Sequence, residues 1–472
     1  MSENRHIQLA RSSELSKLPT NTRLMDGEIA LNKNASAPML STVLDNGTVQ
    51  QINGVGKYQF NVNTSETSAD TPYYIGEVFN SGNKAIGDAS HAEGRATSAT
   101  GGYSHSEGYL TNSIGTASHS EGSNTQAIGA YSHTEGSQTT ANSISSHAEG
   151  SETNAVGYYS HSEGSLTRAI GNASHAEGFS TQARGDYSHS EGYNTNATST
   201  YSHAEGSGTT ASGMASHAEG SNTQASGYSS HAEGSNTKTS GSCSHVEGYG
   251  STANGYYSHA EGRNTITNGE SSHAEGTSTT ASGTSSHAEG NGSKAIGSVS
   301  HAEGQFTTAS GSHSHAEGYE TQAKGSISHA EGYHTVSNSD WSHSEGINSI
   351  ANGAASHAEN RNTTANGRYS HAEGYYTITN NLAEHASGVY NTSVSGGSNQ
   401  VTSALTASTT ATLFSVGNGY EIIEEENTIA YRKNAFEIKW NGDVYIGNYQ
   451  DENTTPKLYL DRIDWVFDAG DY

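Results

Sequence analysis

Ser118-His119-Ser120-Glu121-Gly122-Ser123-Asn124-Thr125-Gln126-Ala127-Ile128-Gly129-Ala130-Tyr131 is one copy of a unit that fills most of the chain. Its His-x-Glu core returns at every fourteenth position from His91 to His371, in 21 copies without an insertion or deletion, and His385 opens a further degenerate copy. A chain folded around one globular core has no reason to hold such a register. A chain that coils on itself does, because each turn must lay the same residue over its predecessor. The spacing therefore predicts a solenoid with one coil per repeat.

Each copy has two similar halves, Ser-x-Ala/Ser-x-Gly and Thr-x-Ala-x-Gly. Each half reads as a short extended segment ending in Gly, followed by a two-residue corner. Two short strands and two turns per coil predict an all-β fold, a thin flattened roll of parallel strands. At about 4.8 Å per layer, 22 coils would make a rod of roughly 105 Å.

Strand alternation sorts the faces. Thr125, Ala127 and Gly129 share one side and stay small from copy to copy. Gln126 becomes Arg168, Lys238 or Ile266, and Ile128 becomes Arg184, Asn254 or Lys324, so those positions face solvent. The small set must point into the roll, together with Ser118, Ser120 and Gly122. His119 and Glu121 then point outward, yet all 21 copies keep both. An outward column that never varies implies a regular partner, and the most economical one is the same face of another copy. The expected assembly is a homotrimer with a His/Glu ladder at its interface, represented by His91, Glu93, His105, Glu107, His119, Glu121, His217, Glu219, His301, Glu303, His371 and Glu373. Charge-assisted hydrogen bonds would join the two columns, with some histidines protonated near neutrality. Protonating all 25 histidines would move the formal charge from −27 to −2.

Composition narrows the function. Only 31% of residues are hydrophobic, too few for a large apolar core, and a net charge of −27 argues against nucleic acid as a partner. Such numbers ordinarily signal disorder, but fixed small-residue slots imply stacked backbone hydrogen bonding instead. No apolar run is long enough to span a bilayer as a helix, and the N-terminal MSENRHIQLARSSEL is too polar for a secretory signal, so neither membrane insertion nor export is expected. Cys243 stands alone and reads as a small filler.

Four segments divide the chain: a module over 1–50, a connector over 51–75, the repeat shaft over 76–395, and a β-rich cap over 396–472. In the cap, Phe436-Glu437-Ile438-Lys439-Trp440, the turn Asn441-Gly442 and Val444-Tyr445-Ile446 predict a β-hairpin.

Chemistry is sparse. His-x-Glu offers two ligands per coil with no dedicated third in the chain, so neither a metal nor another cofactor is expected, although three histidines on a threefold axis could chelate a transition ion. Asp is confined to Asp88, Asp186 and Asp340 in the array, which argues against calcium. No nucleophile elbow or phosphate loop is present, and Asp461, Asp464 and Asp468 read as a solvated face rather than a carboxylate pair. No catalytic residue is expected. Aromatics recur two before the histidine (Tyr103, Tyr131, Trp341, Tyr369) and four after it (Tyr109, Phe179, Tyr333, Tyr375). They read as corner covers, with Tyr333, Trp341, Tyr369 and Tyr375 the strongest glycan contacts of the set. The threonine column Thr97 to Thr377 would suit an ice-binding face only if it were exposed.

The doubled pattern in TQAIGAYSHTEG resembles the head repeat of YadA-like trimeric adhesins, over about 320 of the 472 residues. That resemblance implies a left-handed parallel β-roll packed as a trimer. The departure is His-x-Glu where such heads usually carry aliphatics, which puts the interface chemistry, though not the roll, in question. The flanks look like phage tail proteins. Leu24-Met25-Asp26-Gly27-Glu28-Ile29-Ala30-Leu31-Asn32 with Asp45-Asn46-Gly47-Thr48-Val49 is similar to the virion-attachment module of tail fibres and phage hyaluronidases. Asn434-Ala435-Phe436-Glu437-Ile438 with Gly442-Asp443-Val444-Tyr445-Ile446 is similar to a segment that closes fibre shafts. The implied role is a structural, adhesive virion fibre or appendage, attached through its N-terminal module to other tail proteins and reaching a host-surface glycan or protein. The alternatives are a bacterial trimeric surface adhesin and a glycan-degrading tailspike.

Overall fold

The computed structural model describes residues 10–12, 29–32, 39–43, 49–51, 82–393, 411–424, 427–440, 442 and 444–446. The chain divides into two compact units, Met1–Ala173 and Ser174–Tyr472. Among the described residues every regular element is a β-strand, and no helix is long and apolar enough to cross a membrane.

Both units are built from the same repeating coil, and the parallel β-solenoid read from the repeat is present. A strand begins at each histidine, such as His119–Ser123, and a two-residue strand follows, such as Gln126–Ala127. Each pairs in parallel with its equivalent one coil away, His119 beside His133 and Gln126 beside Thr140. The bonds joining coils run from His119 N–H to the Ser132 carbonyl at 2.9 Å and from Gln126 N–H to the Thr139 carbonyl at 2.9 Å.

The corners need left-handed backbone. Tyr131 (φ 59°) and Asn124 (φ 59°) mark the two turns of one coil, and Gly122 (φ 103°) adds a third positive φ. For a residue with a Cβ this conformation costs on the order of 1 kcal/mol. Stacking offsets it. Tyr131 N–H donates to Thr116 O at 2.8 Å and Asn124 N–H to Tyr109 O at 2.8 Å, so each strained residue is held by the preceding coil. Cys243 occupies such a corner (φ 53°) and is exposed, so it is not a filler.

Burial follows the sorting of faces at all but one slot. Ser118, Ser120, Thr125 and Ala127 are buried, and Gln126 and Ile128 are exposed. Gly122 is the correction: it lies exposed rather than inside the roll, and its strand runs on through Ser123. Glycine is needed there because φ is positive and because a Cβ would overlap the Gly136 carbonyl oxygen of the adjacent coil. In one coil Asn360 holds this slot at φ 78°.

The interior is a column of alanines from both strands, such as Ala204, Ala211, Ala218 and Ala225, all fully buried. Hydroxyls complete it. Ser118 Oγ donates to Gly115 O at 2.7 Å and Ser132 Oγ to Gly129 O at 2.6 Å, closing each corner. Where the residue after histidine is serine, the threonine five positions on finds a partner across the roll. Ser120–Thr125 (2.7 Å) and Ser190–Thr195 (2.8 Å) are examples. Where that residue is alanine, as at Ala204 and Ala218, Oγ1 of Thr209 and Thr223 is buried with no hydrogen bond. Because the threonines face inward, an exposed ice-binding column is excluded for the described coils.

Three flanking groups of strands are described, one of them the antiparallel pair Tyr420–Glu424 and Asn427–Tyr431. Ala10–Ser12 pairs in parallel with Ile29–Asn32, which continues antiparallel to Met39–Val43 and then Val49–Gln51. In the second unit His385–Val389 pairs in parallel with Thr412–Asn418, which turns antiparallel to Asn434–Lys439 and then Val444–Ile446. The hairpin read from the sequence is thus formed, with Phe436 opposite Ile446. Residues 24–28, most of the 51–75 connector, and Asp461, Asp464 and Asp468 lie outside the described residues.

The two threonine environments give opposite expectations. Thr195→Val breaks the bond to Ser190 and should destabilise by about 1 kcal/mol. Thr209→Val removes an unpaired buried hydroxyl and should be neutral or stabilising by about 1 kcal/mol. Equal losses in thermal unfolding of the two variants would contradict this account of the interior.

Candidate functional site

The parallel register places the predicted ladder residues in two columns on one sheet face. His91, His105 and His119 lie side by side, as do Glu93, Glu107 and Glu121. In the second unit His217 follows His203 and Glu219 follows Glu205, and His301 with Glu303 follow His287 with Glu289. His371 is aligned between His357 and His385. Imidazole rings stack face to face along most of the column, 4.6 Å between centroids for His203 and His217 and 4.8 Å for His287 and His301, whereas His91 meets His105 edge-on. Each ring is about half-buried.

Contacts between the columns are longer than the expected hydrogen bonds. His91 Nε2 reaches Glu93 at 3.3 Å, but His119 lies 3.6 Å from Glu121, His217 3.7 Å from Glu219, and His105 3.9 Å from Glu107. Nε2 of His105, His119, His217, His301 and His371 is shielded from solvent without a hydrogen bond. Glu359 sits between two rings, Oε2 at 3.9 Å from His357 and Oε1 at 3.7 Å from His371.

These surroundings set the protonation. Desolvation, then the charge of adjacent imidazoles, lowers the pKa of His119, His147, His217, His301 and His371, outweighing the nearby carboxylates. At these five rings burial and neighbouring imidazoles favour the neutral form, the opposite direction to the protonation expected from the sequence. Two of the stacked glutamates are raised. Glu289 is raised to about 7, first through its hydrogen bond with Glu275 and then by burial, and Glu359 to about 7 by burial and hydrogen bonds with Glu345 and Glu373. Glu261, Glu275, Glu289 and Glu303 line a shallow groove of about 460 Å³.

Tyr333, Trp341, Tyr369 and Tyr375, the candidate glycan contacts, are exposed or half-exposed but fall on different corners. Trp341 and Tyr369 occupy the positive-φ corner before the histidine, and Arg368 lies 5.0 Å over Tyr369. Tyr333 ends the strand His329–Tyr333, and Tyr375, in the equivalent slot, lies beyond the two-residue strand His371–Ala372 in a bridge to Arg361. Tyr333 stacks on Tyr319 at 5.1 Å, and Arg361 lies 5.6 Å over Tyr375. The structure does not gather the four into one site. Beside Tyr333, His334 pairs with Glu320 at 3.3 Å, a contact that their separation by one full repeat could have revealed.

Two features escaped the sequence reading. One is the third ligand: a glutamate and two histidines from successive coils, such as His105, Glu107 and His119, place their ligand atoms within 4.8 Å of one another. The other is Glu384, which replaces the corner serine in the last coil. It is fully buried and accepts from Asn380 N–H (2.8 Å), Asn381 N–H (2.9 Å), Asn381 Nδ2 (2.8 Å) and Ser393 Oγ (2.9 Å). Burial nevertheless raises its pKa to about 7. The chain matches no protein-family model, and no curated protein is significantly similar to it.

Two pH effects follow. A histidine lowered in the folded chain from its ordinary 6.5 contributes stability above pH 6.5 and loses it as pH falls. The raised carboxyls of Glu289, Glu359 and Glu384 act oppositely between pH 4.5 and 7, but they are far outnumbered. In chelator-containing buffer the thermal midpoint should therefore drop between pH 7 and pH 5, and a flat profile from pH 5 to 8 would refute a titrating ladder. Glu384 is costly when ionised, so Glu384→Gln should stabilise by roughly 2 kcal/mol at pH 8 and much less at pH 5. An equal effect at both pH values would show that its charge is not the cause.

Proposed function

We propose that this chain is a non-catalytic, structural and adhesive fibre protein, the shaft of a tail fibre or receptor-binding appendage of a phage virion. It works as a homotrimer of left-handed rolls with the His/Glu face of each chain turned toward the others. The N-terminal module joins other tail proteins, and the exposed aromatic corners meet a glycan or protein on the host surface. The observation that carries this reading is the contrast between faces. Solvent-facing positions such as Gln126, Arg168, Lys238 and Ile266 vary freely, while the half-buried His/Glu columns hold their register through 21 copies.

The bulk of the chain supports a mechanical role. Stacking one small coil after another builds length rather than an enclosed cleft, and the groove beside Glu261, Glu275, Glu289 and Glu303 is shallow. The flanking likenesses to phage tail segments favour the virion over a bacterial surface.

Light scattering with negative-stain imaging of the same peak is the test. The expected mass is three times 49.2 kDa, with rods in the images. A 49.2 kDa particle would remove the trimer and with it the explanation of the unvarying face. Sugar release from host envelope preparations would replace the fibre reading with a glycan-degrading one.

A further inference from the structure

We propose that the histidine column is an array of transition-metal sites in which successive coils pair. Each ion would be held by two imidazole nitrogens and one carboxylate, as at His105, Glu107 and His119 or at His357, Glu359 and His371. The occupant is a divalent ion of the zinc, nickel or copper class, because imidazole with carboxylate suits these ions, whereas calcium and magnesium prefer all-oxygen shells. The inference rests on single-chain geometry and is independent of the fibre reading.

Three observations converge on it. The ligand atoms of each Glu and two His lie within 4.8 Å of one another. The His–Glu separations bracket what one ion requires: two ligands each about 2.1 Å from a tetrahedral ion stand about 3.4 Å apart, and the observed values include 3.4 Å at His147–Glu149 and 3.9 Å at His357–Glu359. Finally, Nε2 of His105, His119, His357 and His371 is shielded from water with no hydrogen bond, an unsatisfied ligand atom repeated along the column.

The stacking distance fixes the stoichiometry. Ring centroids stand 4.7 Å apart at His105–His119 and His357–His371. To share a tetrahedral ion the two nitrogens must close by roughly 1 Å. A ring that tilts toward one neighbour tilts away from the other. Every histidine can therefore belong to one ion only, and the column fills as pairs, one ion for every two coils. Three protein ligands leave one position of a tetrahedral ion open for water or an outside donor.

The test uses the full chain, stripped with chelator, dialysed and titrated with zinc chloride alone. Bound zinc is measured by equilibrium dialysis and elemental analysis. Saturation near one zinc per two coils is expected, together with a marked loss of affinity when the chain is unfolded in urea, where a whole repeat of flexible chain separates the paired histidines. Two variants discriminate pairing from single-residue capture. One replaces alternate histidines by glutamine, beginning His105→Gln and His133→Gln; the other replaces the same number in one contiguous block. The alternating variant leaves no adjacent pair and should lose more than nine-tenths of its bound zinc, whereas the block variant should keep about half. Equal retention by the two variants, or binding as strong in urea as in the native chain, overturns the proposal. Should the alternating variant fail to fold, the comparison of native and unfolded wild-type chain decides alone.

Discussion

Parallel pairing at a constant offset of one repeat governs this chain. His119 N–H must find Ser132 O, and Gln126 N–H must find Thr139 O, in coil after coil. A single inserted residue would move every later side chain to the other face. That requirement explains the absence of indels from His91 to His371. It also explains the interior. The two strands of a coil lie so close that alanine and small hydroxyl residues fill the space, as Ala204, Ala211 and Ser190 do. The fold draws cohesion from hydrogen bonds between coils more than from bulky apolar packing, so a chain with 31% hydrophobic residues still folds.

The same constraint creates the surface problem. Identical residues stack on themselves, so histidine lies over histidine and glutamate over glutamate. Like charges at such spacing repel. The histidine column answers by favouring neutral rings in face-to-face stacks. In the glutamate column the carboxyl of Glu289 is raised to about 7, first by its hydrogen bond with Glu275 and then by burial, which favours its protonated form. The histidine column is left with Nε2 atoms shielded and unpaired within one chain. A ladder of this kind is an incomplete structure that a second set of groups, from another chain or from solution, would complete.

Much of the coil was legible in the sequence because period and alternation are local properties. The inward set Ser118, Ser120, Thr125 and Ala127 and the outward set Gln126 and Ile128 followed from counting. Gly122 did not, because alternation assumes a regular strand and cannot register that a positive φ rotates a residue out of the pattern. The metal-ligand geometry was missed for a related reason. Within one repeat His105 and Glu107 are only two ligands. The third, His119, lies a full repeat away in sequence and one strand spacing away in space. Protonation is not legible in composition, which counts charges, whereas the pKa of His119 is lowered first by burial and then by the charge of His133.

Departures from the repeat are where a uniform solenoid acquires particular chemistry. Serine becomes Glu384 at the coil where parallel stacking gives way to the antiparallel Thr412–Asn418 and Asn434–Lys439 pair. A serine there would close one corner bond. The longer carboxylate reaches Asn380, Asn381 and Ser393 together, tying the last corner to the segment that follows it. Asn391 extends the same closure, its side chain bonding both the N–H and the carbonyl of Ile378 as another strand would. An exposed solenoid end would offer unpaired backbone to any other strand. Glu384 and Asn391 replace that edge with side-chain partners, so the roll stops at a defined coil instead of remaining open to further stacking.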